Sequence, residues 1–238
     1  MEKAFLRTQN LIGEKGLNKL QNARIAVFGV GGVGGFTAEA LVRSGVGILT
    51  VIDGDVVEQS NINRQIIATS QTVGKDKVSV IKERLLSINP NAQINAVKLF
   101  YLPQTADQID LTEFDYIVDA IDTVTAKIDL IKRATEKNVP IISCMGTAGK
   151  TDLTKLMVTD ITKTQGCPLA RVMRRELKNA GVGKLKVVFS NEQSQKNESE
   201  QVEKRNSGRE CPPSMIFVPA SAGLLLAQEV VSDLIKGD

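Results

Sequence analysis

The segment ARIAVFGVGGVGG, Ala23 to Gly35, constrains this chain more than any other: an apolar run feeds directly into a cluster of glycines. An apolar run that short, ended by glycine, reads as a buried strand, and FTAEALVRSG beyond it carries helical periodicity. Gly29, Gly31 and Gly34 satisfy GxGxxG in the strand–turn–helix context that gives the motif meaning. Residues without side chains let the backbone approach a phosphate or ribose, and the helix N-terminus adds partial positive charge. A second apolar run, ILTVIDGD, ends in two acids. Asp53 stands about 20 residues beyond the first strand, where a carboxylate accepts ribose hydroxyls. The turn implies a nucleotide without distinguishing a dinucleotide from ATP.

Apolar runs continue to alternate with amphipathic stretches. INAVKLF, YIVDAID and VPIISCMG read as strands, and DKVSVIKERLLSINP and VTAKIDLIKRATEKN as helices, the former stopped at Asn89-Pro90. This alternation predicts an α/β fold, a doubly wound and mostly parallel Rossmann-like sheet. Short helices broken near Gly13 and Gly16 precede it. The expected organisation is a single domain over residues 1–238, with N-terminal helices over 1–22, a nucleotide-binding core over 23–149 and a C-terminal α/β extension over 150–238. In the extension LTKLMVTD and KLKVVFS read as strands and CPLARVMRRELKNAG as a helix. MIFVPASAGLLLAQEVVSDLI reads as a short strand and a closing helix, too interrupted by acids to span a membrane. The stretch over 190–212 is almost free of apolar residues and predicts a mobile loop.

The segment after Asp53, DVVEQSNINRQ, argues for ATP. A hydride-transferring enzyme of this fold needs no such polar cluster. Arg64 and Lys77 put two cations near the pocket mouth, which a triphosphate needs as pyrophosphate leaves. Each alone would be a solvated surface cation. Asp119 and Asp122 end YIVDAID at the ligand-binding edge of the sheet. Asp122 is the candidate magnesium ligand, because magnesium takes one or two carboxylates plus phosphate oxygens; it could equally cap the helix that follows.

Composition narrows the chemistry. There are no histidines, so the commonest general base is absent, and the net charge of +3 provides no global field for nucleic acid. Cys144, Cys167 and Cys211 form no CxxC pair, hence no disulfide framework or structural zinc. The N-terminus has no apolar core of a signal peptide. Reduced thiols and a cytoplasmic location are expected. Arg171, Arg174, Arg175 and Lys178, with Lys184 and Lys186 beyond, make a basic helix that either positions RNA phosphates or is a solvated face.

GVGGVGG, LVRSGVG, IDGDVVEQSNINRQ, GKDK, INP and DAID, in this order from about Arg7 to Gly149, resemble the ubiquitin-activating-enzyme superfamily. The resemblance implies adenylation of a carboxylate. Gly32 would lie against the nucleotide, Asp53 would bind ribose, Asn61, Arg64 and Lys77 would reach the phosphates, and Asp122 would assist magnesium. Arg7, in FLRTQNLIG, matches an arginine that in this family reaches the partner subunit's ATP, so a homodimer is implied. CPLARVMRRELK, LKVVFS and MIFVPASAGLLLAQEVV resemble the branch that dehydrates threonylcarbamoyladenosine beside the tRNA anticodon. SCMGTAGKTDLT resembles a loop that holds a potassium or sodium ion in some relatives. The alternative is adenylation of the C-terminal glycine of a sulfur-carrier protein, whose activators commonly carry two CxxC pairs absent here. A nicotinamide-dependent oxidoreductase and an inactive tRNA-binding scaffold are the remaining contenders, and a sulfur-relay partner is left open.

Overall fold

The computed structural model describes residues 2–195 and 211–236. The first helix, α1 (Glu2–Asn22), is bent at Gly13, whose φ of 78° is outside the helical region. Of the two expected breaks only this one occurs, and Gly16 continues the helix. There follow β1 (Arg24–Phe28), α2 (Gly34–Arg43), β2 (Ile48–Ile52), α3 (Lys77–Ile88), β3 (Gln93–Val97), β4 (Tyr116–Asp119) and α4 (Val124–Glu136). The chain ends with β5 (Ile141–Cys144), β6 (Leu156–Asp160), α5 (Pro168–Asn179), β7 (Lys186–Ser190) and α6 (Phe217–Lys236).

The strands form one seven-stranded sheet in the order β3-β2-β1-β4-β5-β7-β6. Neighbours are parallel except β6, which runs antiparallel to β7 at the edge. The central strands are apolar at almost every position because both faces are covered. Val27, Leu49 and Val51 face a core shared with Leu41 of α2, Ile81 of α3 and Leu226 of α6. On the other face Ala26, Phe28 and Ile117 pack with Leu130 of α4, and Val187 packs with Met173 and Leu177 of α5. The α/β class and the mostly parallel sheet are as expected.

The expected strand in MIFVPAS does not form. Met215 and Ile216 precede α6, which starts at Phe217. β-branched and aromatic residues there imitate a strand, whereas Pro219 fits the first helical turn, where its missing N–H has no partner to lose. Helix α6 is long and apolar enough to cross a membrane. Here its apolar face packs on α2: a side chain at Gly223 would meet the Val33 carbonyl oxygen at 2.5 Å. Its far end is tied to the sheet, where the Tyr116 hydroxyl donates to Asp233 at 2.6 Å and Lys186 donates to Asp233 at 2.7 Å and Glu229 at 3.2 Å. Of the expected mobile loop, residues 196–210 lie outside the described residues.

Candidate nucleotide-binding crevice

The strand order reverses between β1 and β4, and a crevice opens at the carboxyl ends of strands at such a switch point. The glycine turn forms one wall. Gly29 has φ of 88°, and a Cβ there would come within 2.7 Å of the Ala120 carbonyl oxygen. A Cβ on Gly34 would lie 1.8 Å from the Gly29 carbonyl oxygen. These two glycines are demanded by the fold itself. Gly31 and Gly32 are not so confined: the nearest atoms to a Cβ would be Gln65 Nε2 at 3.9 Å and the Arg64 carbonyl oxygen at 3.4 Å. Their bareness leaves backbone accessible at the mouth, as close approach of a phosphate requires.

Asp53, at the end of β2, accepts the Val30 N–H at 2.6 Å and the Asp55 N–H at 2.8 Å. It braces the glycine turn and still has lone pairs for hydroxyl donors. Burial raises its pKa, opposed by the nearby Lys77 ammonium and by those two backbone donors. Lys77 opens α3, is buried, and pairs with Asp55 at 2.9 Å. Asn61 is buried in a short 3-10 turn, where its side chain accepts the Glu58 N–H at 3.2 Å. Arg64 follows, donating to the Ser60 carbonyl at 2.7 Å and to Asn63 at 3.0 Å. Its Cγ would lie 3.6 Å from a Cβ on Gly32, so its stem runs alongside the glycine turn.

The two acids of YIVDAID part company. Asp119 is wholly buried and bound to Lys127, also wholly buried, at 2.8 Å. It also accepts the Ser143 hydroxyl at 2.5 Å and the Ile121 N–H at 3.1 Å. Lys127 donates further to the carbonyls of Ile121 at 3.1 Å and Cys144 at 2.9 Å. One ammonium thus fastens the ends of β4 and β5 beneath the crevice, a role that the sequence reading missed. A signal existed: Lys127 shares the buried stripe of Ala126, Leu130, Ile131 and Ala134 on α4. Asp122 is exposed just beyond, two residues after the Ala120 that abuts Gly29, and receives the Thr123 hydroxyl at 3.4 Å. The N-cap of α4 is Thr123, not Asp122.

Arg7 is not gathered with these residues within one chain. Phe5, two residues earlier, packs toward Gly45, beyond the end of α2 opposite the glycine turn. The ten residues of α2 span about 15 Å. Cys144 and Cys167 are buried, and burial pushes the Cys144 thiol up to about 12, so it stays protonated. The loop after β5 is pinned by Glu192, which accepts the N–H groups of Thr151 at 3.0 Å and Asp152 at 2.9 Å. On α5, Arg171, Arg175 and Lys178 are exposed, with Arg175 paired to Glu176 at 2.7 Å. Arg174 instead binds the Thr164 carbonyl at 2.7 Å and anchors the helix to the preceding turn.

A doubly wound sheet with a glycine turn at its switch point and an acid closing the second strand defines a Rossmann-like nucleotide-binding protein. The chain belongs to the ThiF family, whose family model matches residues 5–236. It is similar to the tRNA threonylcarbamoyladenosine dehydratase of Bacillus subtilis, at 42% identity over 240 residues, covering 98% of this chain and 94% of that protein. The Escherichia coli dehydratase is 42% identical over 196 residues, covering 79% of this chain and 73% of that protein. The crystal structure of the E. coli dehydratase in complex with AMP superposes with a TM-score of 0.90 at 33% identity, covering 99% of this chain and 95% of that one. The same enzyme in complex with ATP gives a TM-score of 0.88, with the same coverage. A sulfur carrier protein adenylyltransferase of B. subtilis is 32% identical over 144 residues, covering 59% of this chain and 43% of that protein.

Proposed function

We propose that this chain is an ATP-dependent tRNA threonylcarbamoyladenosine dehydratase. The observation that carries the reading is the near-complete likeness to the B. subtilis and E. coli dehydratases, with the glycine turn and Asp53 together at the switch point. Partial coverage of the sulfur-carrier enzyme, and the absence of CxxC pairs, disfavour the alternative.

In the reaction the threonyl carboxylate attacks the α-phosphorus of ATP, and the bond to pyrophosphate breaks. The urea-type group of the same nucleoside then attacks the activated carbonyl carbon. AMP leaves with the former carboxylate oxygen, and the ring closes. Both reacting groups belong to one molecule, so proximity replaces a covalent enzyme intermediate, in keeping with a chain that has no histidine and two buried cysteines.

Asp53 holds the ribose, while Gly29, Gly31, Gly32 and Gly34 let backbone meet the phosphates. Asn61, Arg64 and Lys77 bind the phosphates, and Arg64 and Lys77 neutralise charge on the departing pyrophosphate. Among the described residues no three carboxylate or thiol groups cluster to hold a metal. The exposed Asp122, just beyond β4 beside the glycine turn, would serve a cation that arrives with the phosphates. Magnesium bound there would screen the charge of the triphosphate. Arg7 acts in trans in a homodimer, which fits the packing of Phe5, two residues earlier, at the end of α2 opposite the glycine turn. Arg171, Arg175 and Lys178 contact tRNA phosphates, and Arg174 supports their helix. A potassium or sodium ion near Gly146–Gly149 and a cytoplasmic location complete the proposal.

The test is mass analysis of tRNA nucleosides after incubation with the protein, ATP and magnesium. Loss of one water from threonylcarbamoyladenosine, only with ATP and with one AMP formed per product, is expected. Unchanged nucleosides alongside adenylation of a carrier protein's terminal glycine would replace this reading with the alternative.

A further inference from the structure

Arg64, a cation assigned to the phosphates, does not hold its position alone. Its Nη1 donates to the Ser60 carbonyl at 2.7 Å and to Asn63 Oδ1 at 3.0 Å. The other end of the Asn63 amide is also engaged: Nδ2 donates to the Ser214 carbonyl at 2.8 Å, 151 positions further along the chain. Ser214 belongs to a segment that is itself tied down. The Gly149 N–H donates to the Pro213 carbonyl at 2.6 Å, and the Gln195 N–H donates to the Gly149 carbonyl at 2.6 Å. Gly149 thus joins the chain on either side of residues 196–210 to the loop after β5. Its φ is 70°, and a Cβ there would lie 2.7 Å from the Gln195 carbonyl oxygen. Beyond Ser214 the chain enters α6, where the Ala220 N–H donates to the Ile216 carbonyl at 3.0 Å. In the first turn, Cβ of Pro219 lies 3.5 Å from where a Cβ on Gly32 would stand. A strap over 213–219 therefore runs from the C-terminal extension to the glycine turn, and Asn63 fastens Arg64 to it.

We propose that Asn63 is a positioning residue for the adenylation step: it clamps the Arg64 guanidinium to the strap, so that the C-terminal extension sets the cation that meets the departing pyrophosphate. The inference rests on the reading of the crevice as an ATP site. Asparagine suits the task because its amide accepts and donates at once. Arg64 can only donate and the Ser214 carbonyl can only accept, so the two partners fix which way the amide faces; an aspartate could not serve both. The guanidinium is a rigid planar fork, so holding Nη1 also orients Nε and Nη2, which take no protein partner among the described residues. A long side chain loses rotamer freedom when a ligand fixes it. One already held by Ser60 and Asn63 loses less on meeting phosphate.

The experiment compares binding of ATP and of AMP, each with magnesium, to the full chain by calorimetry. AMP keeps the ribose and the α-phosphate but lacks the pyrophosphate that Arg64 meets. Asn63→Ala should weaken ATP roughly fivefold, the scale of one hydrogen bond, and leave AMP unchanged. Because Asn63 acts through Arg64, Asn63→Ala should have no further effect in an Arg64→Ala background. Gly149→Ala, which drives a methyl toward the Gln195 carbonyl and shifts the strap, should also weaken ATP, and should add nothing once Asn63 is replaced. The comparison with Arg64→Ala decides the matter even if Gly149→Ala does not fold. Wild-type affinity for ATP in Asn63→Ala, or equal loss of ATP and AMP, would overturn the proposal. So would additive losses from Asn63→Ala with either of the other substitutions. Failure of the wild-type protein to bind ATP would instead refute the underlying reading of the crevice.

Discussion

Replacing Lys127 by methionine tests whether the buried ion pair holds the floor of the crevice. Methionine keeps the length of the side chain and removes the ammonium, which contacts Asp119 at 2.8 Å and the carbonyls of Ile121 at 3.1 Å and Cys144 at 2.9 Å. A wholly buried carboxylate then keeps, among the described residues, Ser143 and the Ile121 N–H as donors. Breaking one side of such a pair costs about 3–5 kcal/mol, because the stranded charge cannot reach water. A chain of this size loses roughly 2–4 °C of melting temperature per kcal/mol, so a fall of about 6–20 °C is expected. Asp119→Asn/Lys127→Met removes the stranded charge as well and should be destabilised less, by about 1–2 kcal/mol, leaving mainly unpaired carbonyls. Urea unfolding of wild type and both variants measures these differences. Ile121 immediately precedes Asp122, so Lys127→Met should also weaken magnesium-ATP binding. The reasoning fails if Lys127→Met unfolds within 1 kcal/mol of wild type, or if the double variant is less stable than the single one.

Mixed subunits of Arg7→Ala and Asp122→Ala, each inactive alone, should regain part of the cyclisation rate, because one crevice of the heterodimer receives both intact residues; subunit exchange without recovery would confine Arg7 to some other role. Arg171→Glu/Arg175→Glu should weaken tRNA binding and lower the slope of log affinity against log salt by about 2, one per lost phosphate contact, with ATP affinity unchanged. Wild-type behaviour of that variant across a salt series would make α5 a solvated face. Glu39 supplies a pH test. Burial alone would raise its carboxyl, but hydrogen bonds from Arg84 at 2.5 Å and Arg43 at 2.8 Å bring it below the ordinary value of 4.5. A lowered folded pKa adds stability that is complete above that ordinary value and disappears as pH falls through the lower one. Both arginines remain partly in solvent, so Glu39→Gln should cost only about 1 kcal/mol at pH 7. The difference from wild type should close as the pH falls through the lowered folded value; a gap that persists in acid would mean that packing, not charge, is what Glu39 contributes.

Much of this protein was legible in its sequence because the physics involved is local. A run of five or so apolar residues between turns reads as a covered strand, and GxGxxG after it as a tight strand-to-helix turn, as Gly29 and Gly34 bear out. The stop of α3 at Asn89 and the bend at Gly13 follow from the same local preferences. What the sequence left undecided depends on neighbours distant along the chain. MIFVPAS has strand-like residues, yet the bare flank of Gly223 against α2 makes a helix the better packed choice. Asp119 and Asp122 look alike three residues apart, but β4 ends at Asp119, which is buried against Lys127 and Ser143 from the next helix and strand, whereas Asp122 lies beyond the strand and is exposed. Arg174 belongs to the same basic run as Arg171 and Arg175, and only the position of Thr164 turns it inward. That position 54 must be glycine is decided by Phe100, 46 positions later, whose ring lies across it. Spacing along the chain determines which backbone forms; whether a polar side chain braces the protein or faces a ligand is decided by what tertiary packing brings against it, because burial sets the cost of every unpaired charge.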